Sequence, residues 1–103
     1  VIKTQSVRLR KEEIEIIKKT ARKYFGQEAK VVLFGSRTDT GKRGGDIDLL
    51  IETSLQVGLK MKIRFLTDLK ERLGEQKIDL VLRTPDTPYK KLFEIVEKEG
   101  VEL

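Results

Sequence analysis

Lys30-Val-Val-Leu-Phe-Gly-Ser-Arg37, a polar spacer, and then Asp46-Ile-Asp-Leu-Leu-Ile51 decide how this chain is read. Each apolar run is short, rich in β-branched residues and set off by glycine, which predicts strands over Lys30–Phe34 and Asp46–Ile51. Residues two apart on a strand face the same side, so Asp46 and Asp48 project together. Ile47, Leu49 and Ile51 take the opposite face, towards a core.

Outward from this pair, Lys11 to Phe25 carries Ile14, Ile17, Ala21 and Tyr24 at helical spacing and stops at Gly26. Leu59 to Leu73 repeats the pattern with Leu59, Ile63, Leu66 and Leu73, and stops at Gly74. Lys77 to Leu82 reads as a third strand, with Ile78, Leu80 and Leu82 on one face and Asp79 with Val81 on the other. Thr84-Pro-Asp-Thr-Pro88 turns the chain, and Tyr89, Leu92, Phe93 and Val96 form the stripe of a last helix ending near Gly100.

The order helix, strand, strand, helix, strand, helix predicts an α/β (α+β) fold, a small mixed β-sheet flanked by helices, in one domain over residues 1–103. A crossover through the middle helix implies that the second and third strands are parallel. The first strand is free to run antiparallel to the second. Its connection of about ten polar residues is long for a hairpin and is a candidate functional loop.

Composition narrows the chemistry. The chain has 103 residues, 38% of them hydrophobic, and no cysteine, so packing rather than disulfides or cysteine-bound zinc must stabilise it. Histidine is absent too, which excludes the usual catalytic triads and histidine-ligated zinc. No apolar stretch reaches the roughly 20 residues of a membrane span and no signal-peptide pattern is visible, so a soluble, cytoplasmic protein without membrane contact is expected. The first residue is Val1, which implies that a start residue or an upstream segment is missing. A net charge of +5 favours an anionic partner, although a solvated basic surface accounts for it equally well.

If the second and third strands are neighbours, Asp46, Asp48 and Asp79 converge. Like charges that close repel one another, and a buried carboxylate is costly unless paired, whereas a divalent cation resolves both problems. Hard oxygen ligands suit Mg²⁺ or Mn²⁺. Gly35 and Ser36, at a strand end, can offer backbone amides and a hydroxyl to phosphate oxygens, and Arg37 can add a cationic contact. Taken singly, a Gly-Ser pair is more often an ordinary turn and an Asp-x-Asp a solvated strand end. Asp79, placed in an apolar inner strand, tips the combination towards a metal-assisted phosphoryl-transfer site. Two other motifs fail on spacing: five residues separate Gly35 from Gly41 where a P-loop has four, with Arg43 at its Ser/Thr position, and Asp39 to Asp48 lacks the calcium-loop pattern.

At Leu33-Phe-Gly-Ser-Arg37, followed by a nine-residue gap after Ser36 and by Asp46-Ile-Asp-Leu49, the chain resembles the minimal nucleotidyltransferases (MNT) of the DNA polymerase β-like superfamily. Asp79 matches the third carboxylate of that family. The resemblance implies that Gly35, Ser36 and Arg37 bind a nucleotide, that Asp46, Asp48 and Asp79 hold metal, two Mg²⁺ ions with Mn²⁺ as the alternative, and that Asp79 serves as ligand or general base. It implies transfer of a nucleoside monophosphate, AMP from ATP first among the candidates, to an acceptor hydroxyl with loss of pyrophosphate. The implied partner is a helical HEPN-type toxin in a toxin–antitoxin pair, and self-association is possible. Gly45 departs from the pattern, which commonly has serine or aspartate there. Two other readings compete: a non-catalytic antitoxin that acts by binding, and, ranked last, a basic nucleic-acid-binding domain using Arg37, Lys42 and Arg43.

Overall fold

The computed structural model describes residues 7–39, 41 and 45–103, so the Lys42 and Arg43 of the basic-loop reading lie outside the described residues, as does Val1. Helix α1 (Lys11–Phe25), strand β1 (Lys30–Phe34), a single 3-10 turn (Gly35–Thr38), β2 (Ile47–Glu52), α2 (Leu59–Leu73), β3 (Ile78–Arg83), α3 (Lys91–Glu99) and β4 (Val101–Glu102) follow in order. The strands form one mixed sheet in the order β3-β2-β1-β4. β1 pairs antiparallel with β2 and with β4, and β2 pairs parallel with β3, as the crossover through α2 requires.

Alternation along the strands divides the core in two. On one face Val31, Leu33, Ile47, Leu49, Ile51, Ile78 and Leu80 pack against Ile17, Ala21 and Phe25 of α1 and Phe65 and Leu69 of α2. On the other face Val32 and Leu50 meet Phe93 and Val96 of α3. Asp48 and Asp79 share the α3 side of the sheet, at the end of β2 and β3 nearest their first residues, as expected from strand phase.

Helix α1 forms where its sequence favours it. Glu12 and Glu13 stand in its first turn and Arg22 and Lys23 in its last, complementing the helix dipole, and Gly26 ends it at φ 97°. Glu13 also reaches back to the backbone N–H of Arg10 at 2.8 Å, closing the N-terminus.

Three expectations are corrected. In α2 the buried positions are Phe65 and Leu69, while Leu59 and Ile63 are 71% and 54% exposed. The segment carries apolar residues on more than one stripe, and the rings of Tyr24 and Phe25 select the face that presents Phe65, with centroids 6.2 and 5.1 Å away. At the C-terminus the chain does not stop at the helix: beyond Gly100, Val101 and Glu102 form a strand beside β1. Gly100 lies so close to Val96 O and the Val32 side chain that a Cβ would not fit, and this contact brings the chain back onto the sheet. Tyr89 lies before α3 rather than within its buried stripe and is 64% exposed, its ring edge-on to Phe93.

Candidate active site

Parallel pairing places Asp48 directly opposite Asp79, and antiparallel pairing places Phe34, the residue before Gly35, opposite Asp48. The register therefore brings three separate stretches of sequence to one end of the sheet. Asp48 is partly buried and Asp79 exposed. Burial, then the charges of Asp79 and Asp46 and a hydrogen bond with Asp79, hold the Asp48 carboxyl above its ordinary value, and Lys77 partly offsets them.

Asp46 stands one residue ahead of β2, and its Oδ2 lies 3.5 Å from Lys77 Nζ. Its charge is felt at Asp48, but its carboxylate faces an ammonium group. Among the described residues no group of three acidic side chains is already gathered at metal-holding distance. The pair Asp48 and Asp79 is thus assembled, while Asp46 is held at the edge by Lys77.

Gly35 opens the 3-10 turn with φ 75°, a conformation costly for other residues, and a Cβ there would collide with Asp48 Oδ2. The backbone of the turn consequently lies directly against the carboxylate. Ser36 follows, with its hydroxyl packed against the Cα of Gly45, whose φ is 92° and where a Cβ would strike Ser36 Oγ. The departure at Gly45 has this physical cause: the two ends of the spacer loop close on each other too tightly for a side chain.

Arg37 points into the protein's own framework. Its Nε donates to Gly45 O at 3.3 Å, Nη1 to Arg8 O at 2.9 Å and Nη2 to Gln76 Oε1 at 3.2 Å. Arg8 returns the contact, its backbone N–H donating to Arg37 O at 2.8 Å and its guanidinium to Ser36 O at 3.1 Å and Asp39 O at 2.9 Å. Sequence reasoning assigned no role to Arg8, Glu13 or Gln76, and only the fold brings them to this turn. A groove of about 420 Å³ lined by Glu52, Thr53, Arg83, Thr84 and Pro85 lies at the other end of β2 and β3. Glu97 completes its lining, but Glu52 there is paired with Arg83 at 3.8 Å, and the chemistry of the donor groups, rather than concavity, marks the Asp48 end as the candidate site.

A search of the curated proteins finds no match. Two solved structures share the fold. A chain in the re-refined structure of the tri-AMPylated Shewanella oneidensis HEPN toxin in complex with MNT antitoxin is 21% identical, with a TM-score of 0.61 over 87% of this chain and 66% of that one. A chain in a toxin–antitoxin crystal structure with AMP-PNP is 20% identical, with a TM-score of 0.67 over 91% of this chain and 72% of that one. The present chain thus spans about two thirds to seven tenths of their length. Residues 15–103 match the family model "Polymerase beta, Nucleotidyltransferase", a stretch that contains the Gly-Ser turn, both strands of carboxylates and every element from β1 onward. The chain belongs to the polymerase β nucleotidyltransferase family.

Proposed function

We propose that this protein transfers a nucleoside monophosphate, AMP from ATP, to a hydroxyl of a partner protein in a Mg²⁺-dependent reaction. The observation that carries the reading is the pairing of Asp48 with Asp79 across parallel strands, beneath a glycine turn whose backbone touches Asp48. The donor set fits a hard divalent cation: burial, and then the carboxyls of Asp79 and Asp46, hold Asp48 above its ordinary value, and Mg²⁺ would relieve the repulsion among them. Asp46 would complete the set by leaving Lys77, a fully reversible exposed ion pair.

In this reading the Gly35–Ser36 backbone and the Ser36 hydroxyl receive the triphosphate, Asp46 and Asp48 hold the metal, and Asp79 ligates it or takes the proton of the acceptor hydroxyl. The acceptor oxygen forms a bond to the α-phosphorus, the bond from that phosphorus to the bridging oxygen breaks, and pyrophosphate leaves. Bound metal supplies charge stabilisation for the attacking and departing oxygens. Arg37 serves the nucleotide through the turn it braces.

The acceptor is proposed to be a HEPN-type toxin. The two structural neighbours support this, one a complex with a tri-AMPylated HEPN toxin and the other a toxin–antitoxin structure with AMP-PNP. Incubation of the protein and its co-purified partner with α-labelled ATP and Mg²⁺ should label the partner, and Asp48→Asn should abolish labelling. Labelling that survives in the variant would remove the assignment. Neutralisation of the partner by an Asp46→Asn, Asp48→Asn double variant, without labelling by the wild type, would favour a protein that acts by binding alone.

A further inference from the structure

We infer that Gln76 is a positioning residue for the nucleotide turn, anchored by the buried carboxylate of Glu13 and acting through Arg37. Glu13 is 6% exposed on α1, far in sequence from any residue assigned to the chemistry, and a buried carboxylate without purpose is a liability. Burial alone would raise it, but the Gln76 amide, the Arg10 backbone N–H and the Arg10 charge outweigh that and hold it below the ordinary carboxylate value. Its two oxygens are both engaged: Oε1 accepts from Arg10 N at 2.8 Å, and Oε2 accepts from Gln76 Nε2 at 2.9 Å.

That second bond fixes the amide orientation of Gln76. With Nε2 turned to Glu13 and to Leu73 O at 3.3 Å, Oε1 must face the other way, where it accepts from Arg37 Nη2 at 3.2 Å. Arg37 in turn donates to Arg8 O and Gly45 O, the strap before α1 and the far end of the spacer loop. One chain of hydrogen bonds therefore runs from α1 through the α2–β3 connection to Arg37, in the turn of Gly35 and Ser36, and on to the far end of the spacer loop and the strap before α1. A glutamate at 76 would repel Glu13, and an aliphatic residue would leave both Glu13 and Arg37 short of a partner. The amide is the side chain that can donate to one and accept from the other.

This inference rests on the nucleotide-transfer reading for its consequence, while its geometry can be tested apart from it. Amide hydrogen exchange of the full chain, followed at Arg8 and Asp39, whose N–H groups bond Arg37 O and Ser36 O, reads the turn directly. Gln76→Ala should speed exchange at both. It should weaken binding of Mg²⁺-AMP-PNP by about tenfold, the scale of a lost hydrogen bond to a charged group, and raise KM for ATP with little change in kcat. The exchanged pair Glu13→Gln, Gln76→Glu keeps the donors and acceptors towards Arg10 and Arg37, gives up only the long contact with Leu73 O, and should recover part of both effects where Gln76→Glu alone recovers none. Unchanged exchange in Gln76→Ala, or failure of the exchanged pair to recover in a protein of unaltered circular dichroism, overturns the inference. Faster exchange that is recovered by the exchanged pair, in a wild type that binds no nucleotide, supports the brace and removes the transfer reading instead.

Discussion

Asp48 and Asp79 are cross-strand partners on parallel β2 and β3, and burial together with the neighbouring carboxylates makes the charged form of Asp48 costly. The raised pKa of Asp48 has a consequence for stability. Above the ordinary value of 3.8 the folded protein retains its proton longer than the unfolded chain does, so stability falls as pH rises from there through the folded value and stays lower beyond it. In chelator-treated protein, Asp48→Asn should therefore melt at a higher temperature than wild type at pH 7. The gap should close below pH 3.8. Addition of Mg²⁺ should stabilise wild type alone and narrow the difference at pH 7, which scanning calorimetry with and without the metal would read.

Gly45 and Ser36 make a second prediction. Any Cβ at position 45 must both adopt φ 92° and displace the Ser36 hydroxyl, so Gly45→Ala should cost about 1–3 kcal/mol. Introducing serine there, although it would approach the common family pattern, should behave no better. Ser36→Gly in the Gly45→Ala background should return part of the loss, because it vacates the space that the new methyl requires. Chemical denaturation of the two single variants and the double variant measures the coupling, and strict additivity would show that the two positions do not compete.

The strands were legible in the sequence because aliphatic runs with a period of two leave few alternatives, but the inner place expected for the strand of Asp79 was not: β3 is an edge strand and Asp79 is exposed. Nor was the face of α2 legible. Its segment offers apolar residues on several sides, and only the aromatic side chains of α1, more than thirty positions earlier, choose Phe65 and Leu69 over Leu59 and Ile63. β4 was missed for a related reason: two residues carry no periodicity, and Val101 becomes a strand only because β1 leaves an edge for it. The brace on the Gly-Ser turn was equally hidden. Glu13 and Gln76 lie 63 residues apart, and nothing local to either announces a partner. Arg37 was noticed for its charge, whereas the carbonyl and amide groups that its guanidinium meets are delivered only by the fold.

Asp68 joins the two helices on the first core face. Its carboxylate accepts from Arg72 Nε at 2.7 Å, from the Tyr24 hydroxyl at 2.8 Å and from Lys23 Nζ at 3.1 Å, and these contacts, Arg72 first, hold it well below the ordinary carboxylate value. A depressed carboxylate contributes stability above its unfolded value of 3.8, and that contribution is lost as pH falls below it. Asp68→Asn should thus lower the melting temperature at pH 7, with the deficit shrinking under more acid conditions. High salt should also reduce the deficit, since the partners Lys23 and Arg72 are exposed and their ion pairs with Asp68 are screened. A deficit that is constant across pH would assign the effect to the Tyr24 hydrogen bond alone.

Thr53 closes the loop that follows β2 and is one of the buried polar positions, with Glu13 and Thr20. Its hydroxyl is buried at 6% exposure, donates to Phe25 O at 2.7 Å and accepts from Leu55 N at 3.1 Å, tying the end of α1 to the chain leaving the sheet. Thr53→Val keeps the shape and the β-branch but strands a carbonyl that α1 cannot satisfy and an amide that the turn cannot. The expected loss is about 1–3 kcal/mol, the cost of buried groups left without partners. Thr53→Ser should lose less, because it retains both hydrogen bonds and gives up one methyl group. Urea denaturation of the three proteins orders them wild type, serine, valine. The reverse order for the two variants would mean that packing of the methyl, not the hydroxyl's double role, stabilises this junction.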